Sequence, residues 1–151
     1  MIISYIVGII ISYLIGGIPF GYLIAVIKGI DIRTQGSGNI GATNVGRVLG
    51  KKYGLIIFIL DMLKGFAVVL LVPAAVSSAV NISTTTGNLL AVLCGFCAVL
   101  GHAFPVYLKF KGGKAVATSF GVFIWLVPIS IAIAFGVWLL TVIVTRYVSL
   151  G

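Results

Sequence analysis

Residues 53–80 read YGLIIFILDMLKGFAVVLLVPAAVSSAV, an apolar run in which Asp61 and Lys64 are the only charged side chains. About 20 apolar residues in a helix are enough to cross the hydrocarbon core of a bilayer, and this run exceeds that length. Three further apolar runs lie at residues 2–27, 87–108 and 119–145. The sequence therefore predicts an all-α integral membrane protein, a polytopic helical bundle.

The overall composition supports the same class. The chain has 151 residues, of which 61% are hydrophobic and 8% are charged, whereas a soluble domain carries about 25% charged residues. So few charged side chains cannot cover the surface of a globule in water. We expect a lipid bilayer around the protein and no nucleic-acid partner.

The positive charges are concentrated in two loops that are rich in glycine. Basic residues recur through residues 28–52 and 109–118, while the loop at 81–86 has none. The positive-inside rule places both basic loops in the cytoplasm and the N-terminus outside. Because glycine is used where the backbone turns tightly or approaches a ligand closely, the combination favours a bound anion over topology alone.

Neither glycine-rich loop fits a nucleotide motif. Residues 36–44, GSGNIGATN, match G-x-G-x-x-G, but a membrane span precedes them where a Rossmann unit needs a strand. Residues 110–115, FKGGKA, end in Ala115 where a Walker A loop needs Ser or Thr. The C-x-x-C at residues 94–97 lies inside an apolar run, so we interpret it as packing.

The loops nevertheless carry many hydrogen-bond donors for a phosphate. Backbone N–H groups of glycine-rich turns form anion-binding nests, and a helix that begins near Thr43 or Gly113 would direct its N-terminus at the anion. Side-chain donors and cations complete the set, namely Ser37, Asn39, Thr43, Asn44, Arg33, Arg47, Lys111 and Lys114. The sequence predicts a phosphate site at the cytoplasmic surface of the membrane.

Titratable groups suited to acid–base chemistry are few. Asp31 and Asp61 are the only acids and His102 is the only histidine, so we expect neither a metal nor another cofactor. Asp61 and Lys64 stand three residues apart in a helical run, which favours a structural ion pair over a functional one. The role of His102 is open at this point. It is either a buried structural histidine or, because it lies beside the second basic loop, a residue of the site.

Three blocks of the chain resemble the acyl-phosphate-dependent glycerol-3-phosphate acyltransferases of bacterial phospholipid synthesis, the PlsY family. The blocks are DIRTQGSGNIGATNVGRVLG at residues 31–50, GHAFPVYLKFKGGKAVAT at 101–118 and TRYVSLG at 145–151. DMLKG at residues 61–65 is also similar to the family. The resemblance covers essentially the whole chain in order.

The resemblance implies acyl transfer from acyl-phosphate to the 1-position hydroxyl of glycerol 3-phosphate, giving lysophosphatidic acid and phosphate at the bacterial inner membrane. It implies no obligate protein partner. We expect a catalytic set of Ser37, Asn39, Arg47, His102 and Ser149. We expect a substrate-binding set of Gly36, Gly38, Gly41, Asn44, Lys111, Gly112, Gly113 and Lys114.

The identity of a general base is open at this point. Acyl-phosphate is already activated, so the protein need only orient two substrates and stabilise developing charge. A substrate phosphate oxygen can then take the hydroxyl proton, with Ser37 or His102 as the rival base. Two other function classes are a small anion transporter, for which no inverted repeat is found, and a non-catalytic lipid- or anion-binding subunit.

Two departures from the family's pattern affect the expected architecture. Ala115 replaces the usual glycine, which either crowds the backbone or favours the start of a helix. We expect residues 1–151 to form one transmembrane acyltransferase domain that lacks the family's C-terminal helices. Pro128 predicts that the run 119–145 divides into arms of about 114–127 and 128–147, which gives five membrane segments, two of them short.

Overall fold

The computed structural model describes residues 2–146, and seven α-helices and no strand lie within that range. The helices are α1 (Ile2–Gly17), α2 (Phe20–Ile27), α3 (Ala42–Leu49), α4 (Lys51–Ala79), α5 (Thr84–Ala103), α6 (Val116–Leu126) and α7 (Pro128–Thr145). The predicted all-α class is confirmed. The two basic loops connect α2 to α3 and α5 to α6.

Four segments of the described chain are long and apolar enough to cross a bilayer. They are Ile2–Ile27, Lys51–Ala79, Thr84–Leu108 and Pro128–Thr145, and the shorter apolar helix Val116–Leu126 accompanies them. The first segment is broken between α1 and α2, immediately before Phe20. The break predicted at Pro128 is confirmed, because α6 ends at Leu126 and Pro128 is the first residue of α7.

Glycines bring α1 and α5 into backbone contact. A Cβ atom on Gly16 would collide with the backbone of Ala98, and one on Gly101 would collide with the carbonyl oxygen of Tyr13. Small residues of this kind let membrane helices approach closely, since lipid supplies no hydrophobic force between them. The contact fixes the C-terminal end of α5, where His102 lies, against the broken first segment.

A second glycine contact joins α4 to α6. A Cβ atom on Gly65 would collide with the carbonyl oxygen of Thr118, and one on Gly121 with that of Met62. The start of α6 is therefore held beside the part of α4 that carries Asp61.

A small apolar cluster anchors the first basic loop. Ile32 and Ile40 of the loop are buried against Ala25 of α2, Val45 of α3 and Ile57 of α4. Leu108, near the second loop, joins the same cluster. The two loops therefore share one hydrophobic base at the same end of the bundle.

Candidate functional site

The two basic loops open onto one cavity of about 380 Å³. Its wall combines the first loop and α3 with parts of α4, the end of α5 and the start of α6. The lining residues are Ser37, Asn39, Gly41, Ala42, Thr43, Asn44, Arg47, Phe58, Asp61, His102, Lys114, Ala115, Val116 and Ala117. Blocks that are far apart in the sequence are thus brought together at one site.

Asn44 organises the first loop from a buried position in α3. Its side-chain oxygen accepts a hydrogen bond from the Ser37 N–H at 2.9 Å. Its amide nitrogen donates to the carbonyl oxygens of Gln35 at 3.0 Å and Asn39 at 2.9 Å. The sequence suggested Asn44 as a substrate ligand, but in this structure its amide makes three bonds that shape the loop.

The turn that presents Ser37 depends on the glycines on either side of it. Gly36 and Gly38 have φ values of 57° and 70°, a region that residues with a side chain rarely adopt. Neither glycine lines the cavity, whereas the exposed Ser37 does. Asn39 also lines it, and its side-chain oxygen accepts a hydrogen bond from the Gly41 N–H at 2.8 Å.

Two helices begin at the cavity wall, and neither has a side-chain cap. α3 starts after Gly41 and α6 starts after Ala115. The first N–H groups of a helix have no partner within the helix, and they attract anions together with the helix dipole. Arg47 and Lys114 line the same cavity with exposed side chains. This arrangement is chemically suited to phosphate groups.

The second loop uses its glycine N–H groups differently from the sequence-based expectation. The N–H of Gly112 donates to the carbonyl oxygen of Ala103, and that of Gly113 to the carbonyl oxygen of His102, both at 3.1 Å. These bonds close the C-terminal end of α5, so both N–H groups are committed within the chain. Lys111 also lies outside the cavity lining, and Lys114 is the loop's cation at the cavity.

Arg33 does not contribute its charge to the cavity. Its guanidinium makes two hydrogen bonds to the Asp31 carboxylate, at 2.9 and 2.7 Å, and lies over the Tyr22 ring at 4.7 Å. The hydrogen bonds from Arg33 lower the pKa of Asp31. The expectation that Arg33 supplies charge to the anion is wrong for this structure, because a neighbouring carboxylate neutralises it.

A buried ionic cluster forms part of the cavity wall. Asp61 Oδ1 lies 2.8 Å from Lys64 Nζ and 3.5 Å from His102 Nδ1. Lys64 Nζ also donates to the carbonyl oxygen of Ile18 at 2.7 Å, in the break between α1 and α2. The predicted Asp61–Lys64 pair is present, and the structure adds the contact with His102 that sequence spacing does not reveal.

The structure therefore brings most of the expected catalytic set together. Ser37, Asn39, Arg47 and His102 line one cavity with Gly41, Asn44 and Lys114. Ser149 lies outside the described residues. Asp61 is the ionisable cavity residue that the sequence-based site set omits. The sequence did carry a signal for Asp61, because an ionisable residue within a membrane span is a candidate functional residue.

Comparison with known proteins identifies the family. A family model described as glycerol-3-phosphate acyltransferase matches residues 6–151. The chain belongs to the glycerol-3-phosphate acyltransferase family. A relative of that name from Desulforamulus reducens is 51% identical over 99% of this chain and 70% of its own length. Another from Desulfotalea psychrophila is 50% identical over 93% of this chain and 69% of its own length.

Solved acyltransferase structures share the fold. The crystal structure of PlsY, an integral membrane glycerol 3-phosphate acyltransferase, in its glycerol 3-phosphate form matches with a TM-score of 0.79 at 44% identity, over 97% of this chain and 70% of PlsY. The lysophosphatidic acid form of PlsY matches with the same TM-score at 45% identity, over 97% of this chain and 69% of PlsY. The acyltransferase family and its membrane-embedded fold are thus established for this chain.

Proposed function

We propose that this acyltransferase moves an acyl group from acyl-phosphate to the 1-position hydroxyl of glycerol 3-phosphate. The observation that carries the proposal is the pairing of two uncapped helix starts with Arg47 and Lys114 around one cavity. Glycerol 3-phosphate is a phosphate ester and acyl-phosphate is a mixed anhydride of phosphate, so both substrates require anion-binding groups. The solved PlsY forms contain glycerol 3-phosphate and lysophosphatidic acid, which supports these as substrate and product.

The reaction needs no covalent intermediate on the protein. The glycerol hydroxyl oxygen bonds to the acyl carbon, the bond from that carbon to the phosphate oxygen breaks, and inorganic phosphate leaves. The hydroxyl proton ends on the departing phosphate, so atoms and charge balance. Helix N–H groups, Arg47 and Lys114 stabilise the negative charge that develops on the leaving phosphate.

The acyl chain lies toward the membrane helices. Phe58 of α4 and Val116 of α6 give the cavity an apolar side and are exposed on the surface of the bundle. An acyl tail can rest there while its phosphate stays between the basic loops. By the positive-inside rule these loops lie on the cytoplasmic side of the bacterial inner membrane. We place the active site on that side.

Activity in a reconstituted system tests the proposal. Purified protein in lipid is supplied with acyl-phosphate and labelled glycerol 3-phosphate, and lysophosphatidic acid and released phosphate are followed together. Arg47→Ala and Lys114→Ala should each reduce kcat/KM at least about tenfold, since each removes a charge-assisted contact of roughly 1.5–3 kcal/mol. Lys52→Ala, an exposed cation outside the cavity lining, is the matched control and should retain activity.

The same assay distinguishes the other function classes. Absence of product with the wild-type chain, together with uptake of phosphate into sealed vesicles, would support a transporter instead. Saturable binding of glycerol 3-phosphate with neither turnover nor uptake would support a non-catalytic subunit.

The group that accepts the proton is also testable. If Ser37→Ala and His102→Ala both retain full activity, a substrate phosphate oxygen takes the proton directly. Loss with only one of these variants assigns the step to that side chain.

A further inference from the structure

We propose that Asp61 is a positioning residue for acyl transfer, and that with Lys64 it holds the His102 ring, and through that ring the second basic loop, in place at the cavity. The inference rests on the proposed function and adds two residues to its machinery. Asp61 and His102 both line the cavity. Lys64 forms an ion pair with Asp61 and does not itself line the cavity.

The cluster is almost completely buried. The side chains of Asp61 and Lys64 are each 3% exposed, and that of His102 is 5% exposed. A carboxylate removed from water is strongly unfavourable unless it is paired. Lys64 supplies that pairing at 2.8 Å, so a negative charge on Asp61 is sustained next to the histidine.

Two buried atoms of the cluster have incomplete hydrogen bonding. Among the described residues, Asp61 Oδ1 and His102 Nδ1 have no hydrogen-bond partner. The 2.8 Å contact from Lys64 to Asp61 Oδ1 is thus an ion pair without hydrogen-bond alignment. Buried polar groups nearly always have partners. These two atoms lie 3.5 Å apart, and a small shortening of that distance satisfies both.

A hydrogen bond between these atoms fixes the protonation pattern of the imidazole. A proton on Nδ1, donated to the carboxylate, leaves Nε2 unprotonated on the edge of the ring that lies against Gly113. Catalytic hydrogen bonds are often long before substrate binds and shorten in the reactive complex. We therefore expect the Asp61–His102 distance to decrease when both substrates occupy the cavity.

The other edge of the His102 ring is held by the second basic loop. Gly113 lies against Nε2 so closely that a Cβ atom at this position would collide with that nitrogen. The Gly113 N–H is itself bonded to the His102 carbonyl oxygen at 3.1 Å. The imidazole is thus confined between the Asp61 carboxylate and the second basic loop.

The anchoring of Lys64 completes the arrangement. Lys64 Nζ donates to the Ile18 carbonyl oxygen at 2.7 Å and lies 5.6 Å from the centre of the Phe20 ring. Ile18 stands between α1 and α2, and its carbonyl oxygen also accepts a hydrogen bond from the Phe20 N–H at 3.2 Å. A series of contacts therefore connects the break between α1 and α2 to His102 through Lys64 and Asp61.

The competing explanation is that Asp61 only neutralises a buried lysine. The double variant Asp61→Asn with Lys64→Met distinguishes the two roles, because it removes both charges and leaves no unpaired ion. A merely neutralising Asp61 would be dispensable in this background. A positioning Asp61 would not be.

The test uses the full chain in lipid and measures kcat and KM for both substrates. Asp61→Asn should lower kcat about 10- to 100-fold, the size of effect known for losing a carboxylate that orients a metal-bound histidine. KM for acyl-phosphate should change little. The double variant with Lys64→Met should retain the low kcat. In a His102→Ala background, Asp61→Asn should cause no further loss, because the residue it orients is gone.

Three outcomes would overturn the inference. They are full activity of Asp61→Asn, recovery of kcat in the charge-free double variant, and multiplicative losses from Asp61→Asn and His102→Ala. If Asp61→Asn alone fails to fold, the charge-free double variant still decides the question. An inactive wild-type chain would instead overturn the proposed function, so the two failures are distinguishable.

Discussion

The contact between Gly113 and His102 gives a sharp prediction for Gly113→Ala. The new Cβ atom would collide with Nε2 and would lie 3.1 Å from Cδ2 and 3.4 Å from Cε1 of the ring. Carbon atoms at rest are separated by about 3.5–4.0 Å, so the ring has to move by roughly 1 Å. Because the ring is buried and lies between Gly113 and Asp61, this displacement changes its contact with the Asp61 carboxylate.

The expected loss follows from this displacement. A 1 Å misplacement of a catalytic group costs roughly 100-fold in rate, which corresponds to about 2.7 kcal/mol of transition-state stabilisation. We expect Gly113→Ala to reduce kcat/KM by about that factor in the reconstituted assay. Gly136→Ala in α7 is the matched control, since a Cβ atom there meets nothing within 4 Å.

A double variant isolates the cause. In a His102→Ala background there is room for the new methyl group, so Gly113→Ala should have little additional effect on kcat/KM. Full activity of Gly113→Ala in the wild-type background would refute the reasoning, because it would show that the position of the ring is irrelevant. An equal loss in the two backgrounds would show that the glycine acts through the loop and not through the histidine.

Three further variants test the local structure by thermal unfolding in detergent. Ala115→Gly should stabilise the protein by about 1 kcal/mol, because Ala115 has a φ of 57° and side chains are strained there; an unchanged or lower Tm would contradict this. Asn44→Ala should destabilise it by about 2–4 kcal/mol, since three hydrogen bonds to the first loop are lost, and a neutral effect would show that the loop holds its shape alone. Thr118→Val should be neutral or stabilising by up to about 1 kcal/mol, because the Thr118 hydroxyl has no hydrogen-bond partner within residues 2–146; a marked loss would reveal a role for the hydroxyl.

The membrane class and the meeting of the two basic loops could be predicted from the sequence because they depend on solvent. Long apolar runs cannot remain in water, and the two basic loops are kept on one side by the same charge rule. The break before Pro128 could also be predicted, because the proline ring clashes with the helical backbone that precedes it. These predictions need no knowledge of which helices touch.

The internal contacts of the site could not be predicted in the same way, because they depend on helix packing. The 3.5 Å approach of Asp61 to His102 joins α4 to α5, and the Lys64 bond to Ile18 crosses 46 positions. The glycine pattern of the second loop predicts an anion site there, and the structure brings Lys114 of that loop to the cavity. The N–H groups of Gly112 and Gly113 close α5, whereas the uncapped starts of α3 and α6 are free to face the ligand.

The break between α1 and α2 has a consequence for how relatives can vary. The Ile18 carbonyl oxygen accepts hydrogen bonds from Lys64 Nζ at 2.7 Å and from the Phe20 N–H at 3.2 Å, and no water is available within a bilayer to replace the lysine. A relative whose first span is one uninterrupted helix would satisfy this carbonyl within the helix, and its lysine would be needed only to neutralise the aspartate. An aspartate at position 61 without the lysine should therefore be rare, whether or not the first span is broken.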